Sequence, residues 1–288
     1  MQNKSHVQVF TMLASLLTLS ACGRLDSIPF SPLQTPQTWL QIQPFVNIRL
    51  GAQEIILIQP STSAFVALLG ILTVGVGLHF LKIRTNQQSR LWWGIALLLW
   101  GSGALLAGTS YEAFSFAIKC AGREACIWTS WWEIGYLIAS VWSIDAMVMA
   151  GAWSCAKDKW RKAMIGYALA NATAYPVVVL VGTFLPVRFL ISFELLLIVS
   201  APGILALFIL NLWRFSKSKN KMDLALIGAW IWLGVTIGAY FLYLISGLTQ
   251  RLWAQRIWFS ENDVLHIGLI PWMVYLGILV VPHLTDES

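Results

Sequence analysis

Charge is what this chain has least of. Only 11% of its 288 residues are Asp, Glu, Lys or Arg, against 58% hydrophobic. A soluble domain carries roughly 25% charged residues because its surface must be wet, so the shortage excludes a water-exposed globular domain. Histidine is scarce too, with four in the chain. No lysine lies inside an apolar segment, which excludes a Schiff-base cofactor held there. No GxxxxGK[ST] loop occurs, so any transport is secondary rather than ATP-driven. No internal repeat is evident, which removes the usual sign of an inverted-repeat transporter.

What remains is an all-α polytopic membrane protein. Seven apolar segments are each long enough to cross a hydrocarbon core of about 30 Å. They fall at 62–82, 91–111, 129–155, 163–184, 187–213, 222–246 and 263–282. The basic residues gather in every second connection. Lys82, Arg84 and Arg90 form one group, Lys157, Lys159, Arg161 and Lys162 a second, and Arg214, Lys217, Lys219 and Lys221 a third. The intervening connections hold only Lys119, Arg123, Arg188, Arg251 and Arg256. The positive-inside rule then predicts a seven-transmembrane bundle with the N-terminus outside and the C-terminus cytoplasmic. The net charge of +6 is spread over these loops and makes no single basic face, so nucleic acid is not a partner.

The start of the chain reads as export machinery. Lys4, an apolar core too short to span, and Leu19-Ser20-Ala21-Cys22 form a signal-peptide pattern over 1–22. The last four residues resemble the lipobox of bacterial lipoproteins, which implies a lipid on Cys22; an ordinary or uncleaved signal segment is the alternative. Residues 23–61 then form an extracytoplasmic tail, 62–283 the bundle and 284–288 a cytoplasmic tail, in a multi-pass protein of the bacterial cytoplasmic membrane. Prolines at 29, 32, 36, 44 and 60 predict an irregular first half of the tail. Phe45–Gln59 is a short strand or an interfacial segment.

Cys120 and Cys126 lie six apart in a polar outer loop, where an oxidising compartment predicts a disulfide. Tryptophans cluster at the segment ends, Trp92, Trp93, Trp160 and Trp213 at one side and Trp128, Trp131, Trp132, Trp253 and Trp258 at the other, as an interfacial belt. In GSGALLAG, Gly103 with Ala107 and Ala104 with Gly108 are small pairs that allow close helix approach. Pro176, Pro202 and Pro271 predict kinks.

Ionisable groups inside spans mark functional sites because lipid makes them expensive. On the third span Glu133, Tyr136, Ser140 and Ser143 fall within roughly 80° of one another and form a polar stripe, with Asp145 on the opposite face. The seventh span carries Asp263 and His266, and Asn262 or Asp263 is placed to orient the imidazole. Ser260, Glu261 and Asn262 also suit a helix cap. Glu112 and Glu194 lie near the same end of their spans. Together Glu112, Glu133, Tyr136, Glu194, Asp263 and His266 predict an outward polar pocket, with helix-to-helix hydrogen bonding as the plainer alternative. Arg251 and Arg256 stand at its rim, where they pair with Glu112 and Glu261 or hold an anion.

In span count and orientation the layout is similar to the ceramidase-like CREST hydrolases, and that resemblance implies three histidines on zinc with a serine and an aspartate. Here His79 and His283 fall near one side and His266 near the other, too far apart for one ion with ligands near 2 Å. GSGALLAGTS also carries no histidine, so no residue role is carried over. Three functions stay open: binding or sensing of a membrane lipid or small amphipathic ligand, hydrolysis with His266 as base and Glu133 or Asp263 orienting it, and proton or ion movement along the Glu133 stripe. Nothing in the pattern names a cofactor or a metal.

Overall fold

A computed structural model of the chain describes residues 24–51 and 53–287; the signal segment and Cys22 lie outside them. Seven helices are long and apolar enough to cross a membrane. They are α1 (Pro60–Lys82), α2 (Gln88–Ala107, continued by a π-helical turn over Gly108–Ala113), α3 (Trp131–Cys155), α4 (Asp158–Phe184), α5 (Phe193–Ser218), α6 (Lys221–Ser246) and α7 (Glu261–Tyr275, continued by tighter and wider turns to His283). Their ends follow local chemistry. Pro60 opens α1 where a missing N–H costs nothing. Ser192 and Asn220 cap α5 and α6, and Gly247 closes α6 at φ 65°. The fifth span starts later than the predicted 187 because Arg188–Ile191 forms a separate 3-10 turn.

Helices α1, α2, α3, α5, α6 and α7 close into a ring, each packed on the next, while α4 lies outside against α3. Burial shows the same division: 72% of the most apolar window of α3 is buried within the protein, against 17% of α4's. The α1–α2 seam is made by glycines seven apart. A Cβ added at Gly77 meets the Gly94 carbonyl oxygen at 3.1 Å, and one at Gly94 meets that of Gly77 at the same distance. Gly101 and Gly70 repeat the pair one heptad on, and Gly108 packs on Val66. Seven residues are nearly two whole turns, so these positions stay on one face. The small residues four apart in GSGALLAG face two neighbours: Gly103 packs on Ala139 and Ser140 of α3, while Gly108 lies on the α1 seam.

Side-chain donors tie other seams to backbone carbonyls. Trp272 Nε1 donates to the Ala229 carbonyl (2.8 Å), Tyr275 to Ala225 (2.9 Å) and Trp232 Nε1 to Gly268 (3.0 Å), joining α7 to α6. Pro176 cannot donate to the carbonyl four residues back, and Trp142 of α3 fills that place with a 2.8 Å bond to Ala172. Trp93, assigned above to the belt, is instead core: it stacks between Phe80 and Trp230 at centroid distances of 6.1 and 6.0 Å.

One end of the bundle carries the three basic loops. There Asp223 is fully buried and accepts from Asn211 (3.1 Å) and Arg214 (3.1 Å). Arg214 also reaches Glu287 at 2.7 Å, and Lys157 pairs with the same carboxylate at 3.0 Å. Asp286 accepts from the backbone N–H groups of Gln88 and Ser89, both at 2.8 Å, at the start of α2. Segment 284–287 is therefore fastened across the ends of several helices.

The opposite end is covered by the tail. A short helix, Pro36–Ile42, starts from a Thr35–Thr38 capping box, so Pro36 initiates order where irregular chain was expected. It leads into an antiparallel hairpin of β1 (Phe45–Leu50) and β2 (Gln53–Ile58), registered Phe45↔Ile58 to Leu50↔Gln53. This hairpin is the departure from an all-α chain among the described residues. Cys120 and Cys126 form the expected disulfide and pack with Trp39, Ile58 and Phe116. Backbone bonds from Phe30 to Cys126 (2.9 Å) and Trp128 to Ile28 (2.8 Å) stitch tail and loop together.

Candidate functional site

All six ring helices line one central cavity of about 380 Å³. That lies within the range of small-molecule sites, roughly 300–1,000 Å³. Leucines and isoleucines of α5, α6 and α7, together with Trp100, form its deeper wall. Most of its polar residues belong to the disulfide end: Tyr111 and Glu112 from the π-helical turn, Tyr136 from α3, Glu194 from α5, Tyr240 from α6, and Glu261, Asn262 and His266 from α7, with Ser140 and Ser200 further along α3 and α5. The π-helical turn places Glu112, since a wider turn shifts the phase of the residues on it.

The hydrogen bonding around this cavity is incomplete. Glu112 is 4% exposed; its Oε1 accepts from Asn262 at 3.2 Å and its Oε2 has no partner. His266 Nδ1 and Ser200 Oγ are also buried without partners. Unpaired buried polar atoms are rare and costly in native proteins, and here three of them belong to residues that line one space. Among the described residues of that lining Glu194 alone is exposed. It stands on the first turn of α5. Two aromatic pairs flank the polar end edge to face, Tyr111–Tyr136 at 6.0 Å and Phe193–Tyr240 at 6.4 Å.

Glu112, Tyr136, Glu194 and His266 thus come together, as do Ser140 and Glu261. Glu133 does not join them. It is 1% exposed and ion-paired with Lys119, itself 2% exposed, and it accepts from Ser110 at 2.8 Å. The Lys119 ammonium also lies 4.7 Å from the Tyr111 ring centre. The polar stripe is split because its edges face different neighbours: Glu133 turns to the disulfide loop and Ser143 donates to the Ala96 carbonyl of α2 at 2.8 Å. Tyr136 and Ser140 alone reach the cavity. Asp145 accepts from Asn171 of α4 at 2.9 Å, away from the cavity.

Asp263 is consumed by capping. One oxygen accepts from Thr62 (3.0 Å) and the other from the Ser260 N–H (2.6 Å) and hydroxyl (3.0 Å). Neither Asp263 nor Asn262 orients His266, so the expected base-and-orienter pair is not assembled. Arg251 and Arg256 are exposed and form no ion pair among the described residues. Asn262 holds Glu112, and Glu261 takes the Thr249 hydroxyl, which leaves the arginines without the expected partners. Arg256 instead borders a smaller space of about 350 Å³ with Trp253, Trp258 and Gln43.

Lys119 was read as a loop residue, and its proximity to Glu133 depends on the short helix Ser115–Lys119 folding back over the bundle. Ser200 carried no signal apart from being a lone hydroxyl in an apolar run. Among the described residues no group of three or more His, Cys, Asp or Glu side chains is arranged to hold a metal ion. No protein-family model matches the chain, and no curated protein matches it.

Proposed function

We propose that this is a multi-pass membrane protein that binds a lipid or small amphipathic ligand in its central cavity, as a binding or sensing protein. The observation that carries this reading is the cavity itself. Apolar walls suit a hydrocarbon chain, and the carboxyl and imidazole side chains among the lining residues, Glu112, Glu194, Glu261 and His266, suit a polar head. The paired basic loops at one end and the disulfide with the tail at the other support an N-outside orientation, with the polar end of the cavity toward the outer surface. A hydrolytic role draws no comparable support, because His266 has no carboxylate to orient it.

Ala104 lies on the cavity wall, and a larger side chain there intrudes on the ligand space. Native mass spectrometry of the protein extracted into dodecyl maltoside is expected to retain an adduct of one amphiphile's mass. The Ala104→Phe variant is expected to lose it while keeping its helical circular dichroism. Identical spectra for both proteins refute the reading.

A further inference from the structure

We infer that the head group this cavity accepts is a protonated amine. The inference rests on the amphiphile reading above and narrows it. The lining carries three carboxylates, Glu112, Glu194 and Glu261, and neither Lys nor Arg. Buried charge is tolerated when it is paired. Glu133 shows the protein's own solution one helix away, with Lys119 supplying the cation. The one ammonium nearby, that of Lys119, is taken by Glu133, so the lining itself holds no cation and a ligand ammonium fills that role.

The unpaired atoms sharpen the choice among cations. Turned to a ligand, Glu112 Oε2 accepts when ionised, Ser200 Oγ donates or accepts, and His266 Nδ1 accepts in the Nε2–H tautomer. An –NH3⁺ group offers three donors, whereas a trimethylammonium offers none. Tyr136, Phe193 and Tyr240 also line the cavity, and aromatic rings attract a cation of any kind, as Tyr111 does with the Lys119 ammonium. An anionic head meets three carboxylates with no counter-charge. The same amine chemistry is found on a single-chain alkylamine and on an aminophospholipid. The phosphate of the latter brings a negative charge to an acidic mouth, so the single-chain amine is the favoured source.

The test uses the full chain in dodecyl maltoside micelles, with thermal midpoint read by intrinsic tryptophan fluorescence. Dodecylammonium, dodecyltrimethylammonium, dodecanoate and a lysophosphatidylethanolamine of equal chain length are titrated separately. Dodecylammonium is expected to stabilise at concentrations at least about tenfold lower than dodecanoate, a difference of about 1.4 kcal/mol, with trimethylammonium between them. Glu112→Gln keeps the Asn262 contact and is expected to erase most of the preference; Glu54→Gln, at an exposed position of β2, leaves it intact. Stabilisation by lysophosphatidylethanolamine equal to that by dodecylammonium supports the same head carried on a phospholipid, and its absence supports a free amine. Equal responses to amine and carboxylate, equal responses to amine and trimethylammonium, or a preference untouched by Glu112→Gln each overturn the amine while leaving the amphiphile reading in place. No response to any of the four overturns that reading and the amine with it.

Discussion

At the basic end Asp223 is wholly buried and both its oxygens are bonded, by Asn211, Cys155 and Arg214, which in turn holds Glu287. At the disulfide end Glu112 is nearly as buried, yet one of its oxygens meets nothing. Both are carboxylates on transmembrane helices, and the same physics penalises both. The closed network reads as structure, because each charge is answered within the fold. The open one is the candidate site of the reading proposed above, because the fold leaves one oxygen unanswered. Glu133 lies next to the open site and belongs, by its Lys119 partner, with the closed kind.

The largest expected effect comes from breaking the closed pairs. Arg214→Met leaves Asp223 buried without a counter-charge, which typically costs about 3–5 kcal/mol. Denaturant or thermal unfolding in micelles measures it as a large loss of midpoint. Lys119→Met strands Glu133 similarly, and the double variant Lys119→Met/Glu133→Leu is expected to recover most of the loss, since an apolar pair of similar volume replaces an ion pair at little cost. Failure to recover places Lys119 and Glu133 in some role other than mutual neutralisation.

A smaller loss, about 1–3 kcal/mol, is expected for Gly101→Val. Its Cβ meets the Gly70 carbonyl oxygen at 2.9 Å. Gly75→Val, where a Cβ has open space, serves as control in the same unfolding assay. Glu112→Gln sharpens the comparison most directly, because it alters charge in the open site while keeping shape. Its midpoint is expected to stay within about 1 kcal/mol of the parent, the ordinary scatter of substitutions that break no native partner, even as ligand stabilisation disappears. A fall as deep as that of Arg214→Met makes the open site structural after all.

The smallest effect concerns pH. Burial alone pushes the Glu287 carboxyl up, but hydrogen bonds from Arg214 and Lys157 outweigh it and hold the group below its ordinary value. A depressed native value means the stabilisation is complete above the ordinary carboxylate range and is lost as pH falls through the lower one. The midpoint difference between parent and Glu287→Gln is expected to shrink as acid is added. A difference that grows in acid contradicts the pairing.

The spans were legible because hydrophobic length is a one-dimensional property, and the starts differ little from those read off the sequence except at the fourth, Asp158, and the fifth, Phe193. Glu112, Tyr136, Glu194 and His266 were legible as polar groups in apolar runs. Their neighbours were harder. Lys119 belongs to a hydrophilic loop by every local measure, and only the return of Ser115–Lys119 over the bundle brings it to Glu133. Asp223 follows Lys221 at a helix start and reads as an ordinary first-turn acid. Asp263 fitted both capping and catalysis, and its two oxygens could be assigned only once Thr62 of a distant helix was placed. The seam glycines were hidden because a seven-residue spacing is less conspicuous than the four-residue one beside it.

Glu194, the exposed residue of the lining, stands on the first turn of α5, at the level where such a helix leaves the hydrocarbon. On the amphiphile reading proposed above, a ligand passing that residue arrives from the plane of the bilayer as readily as from water. Occupancy would then follow the mole fraction of ligand in the surrounding lipid, and diluting the protein into more lipid at constant total ligand would empty the cavity. Apparent affinities for such a site carry meaning only when quoted per lipid, and comparisons between micelles and bilayers need that conversion before any residue is credited or blamed.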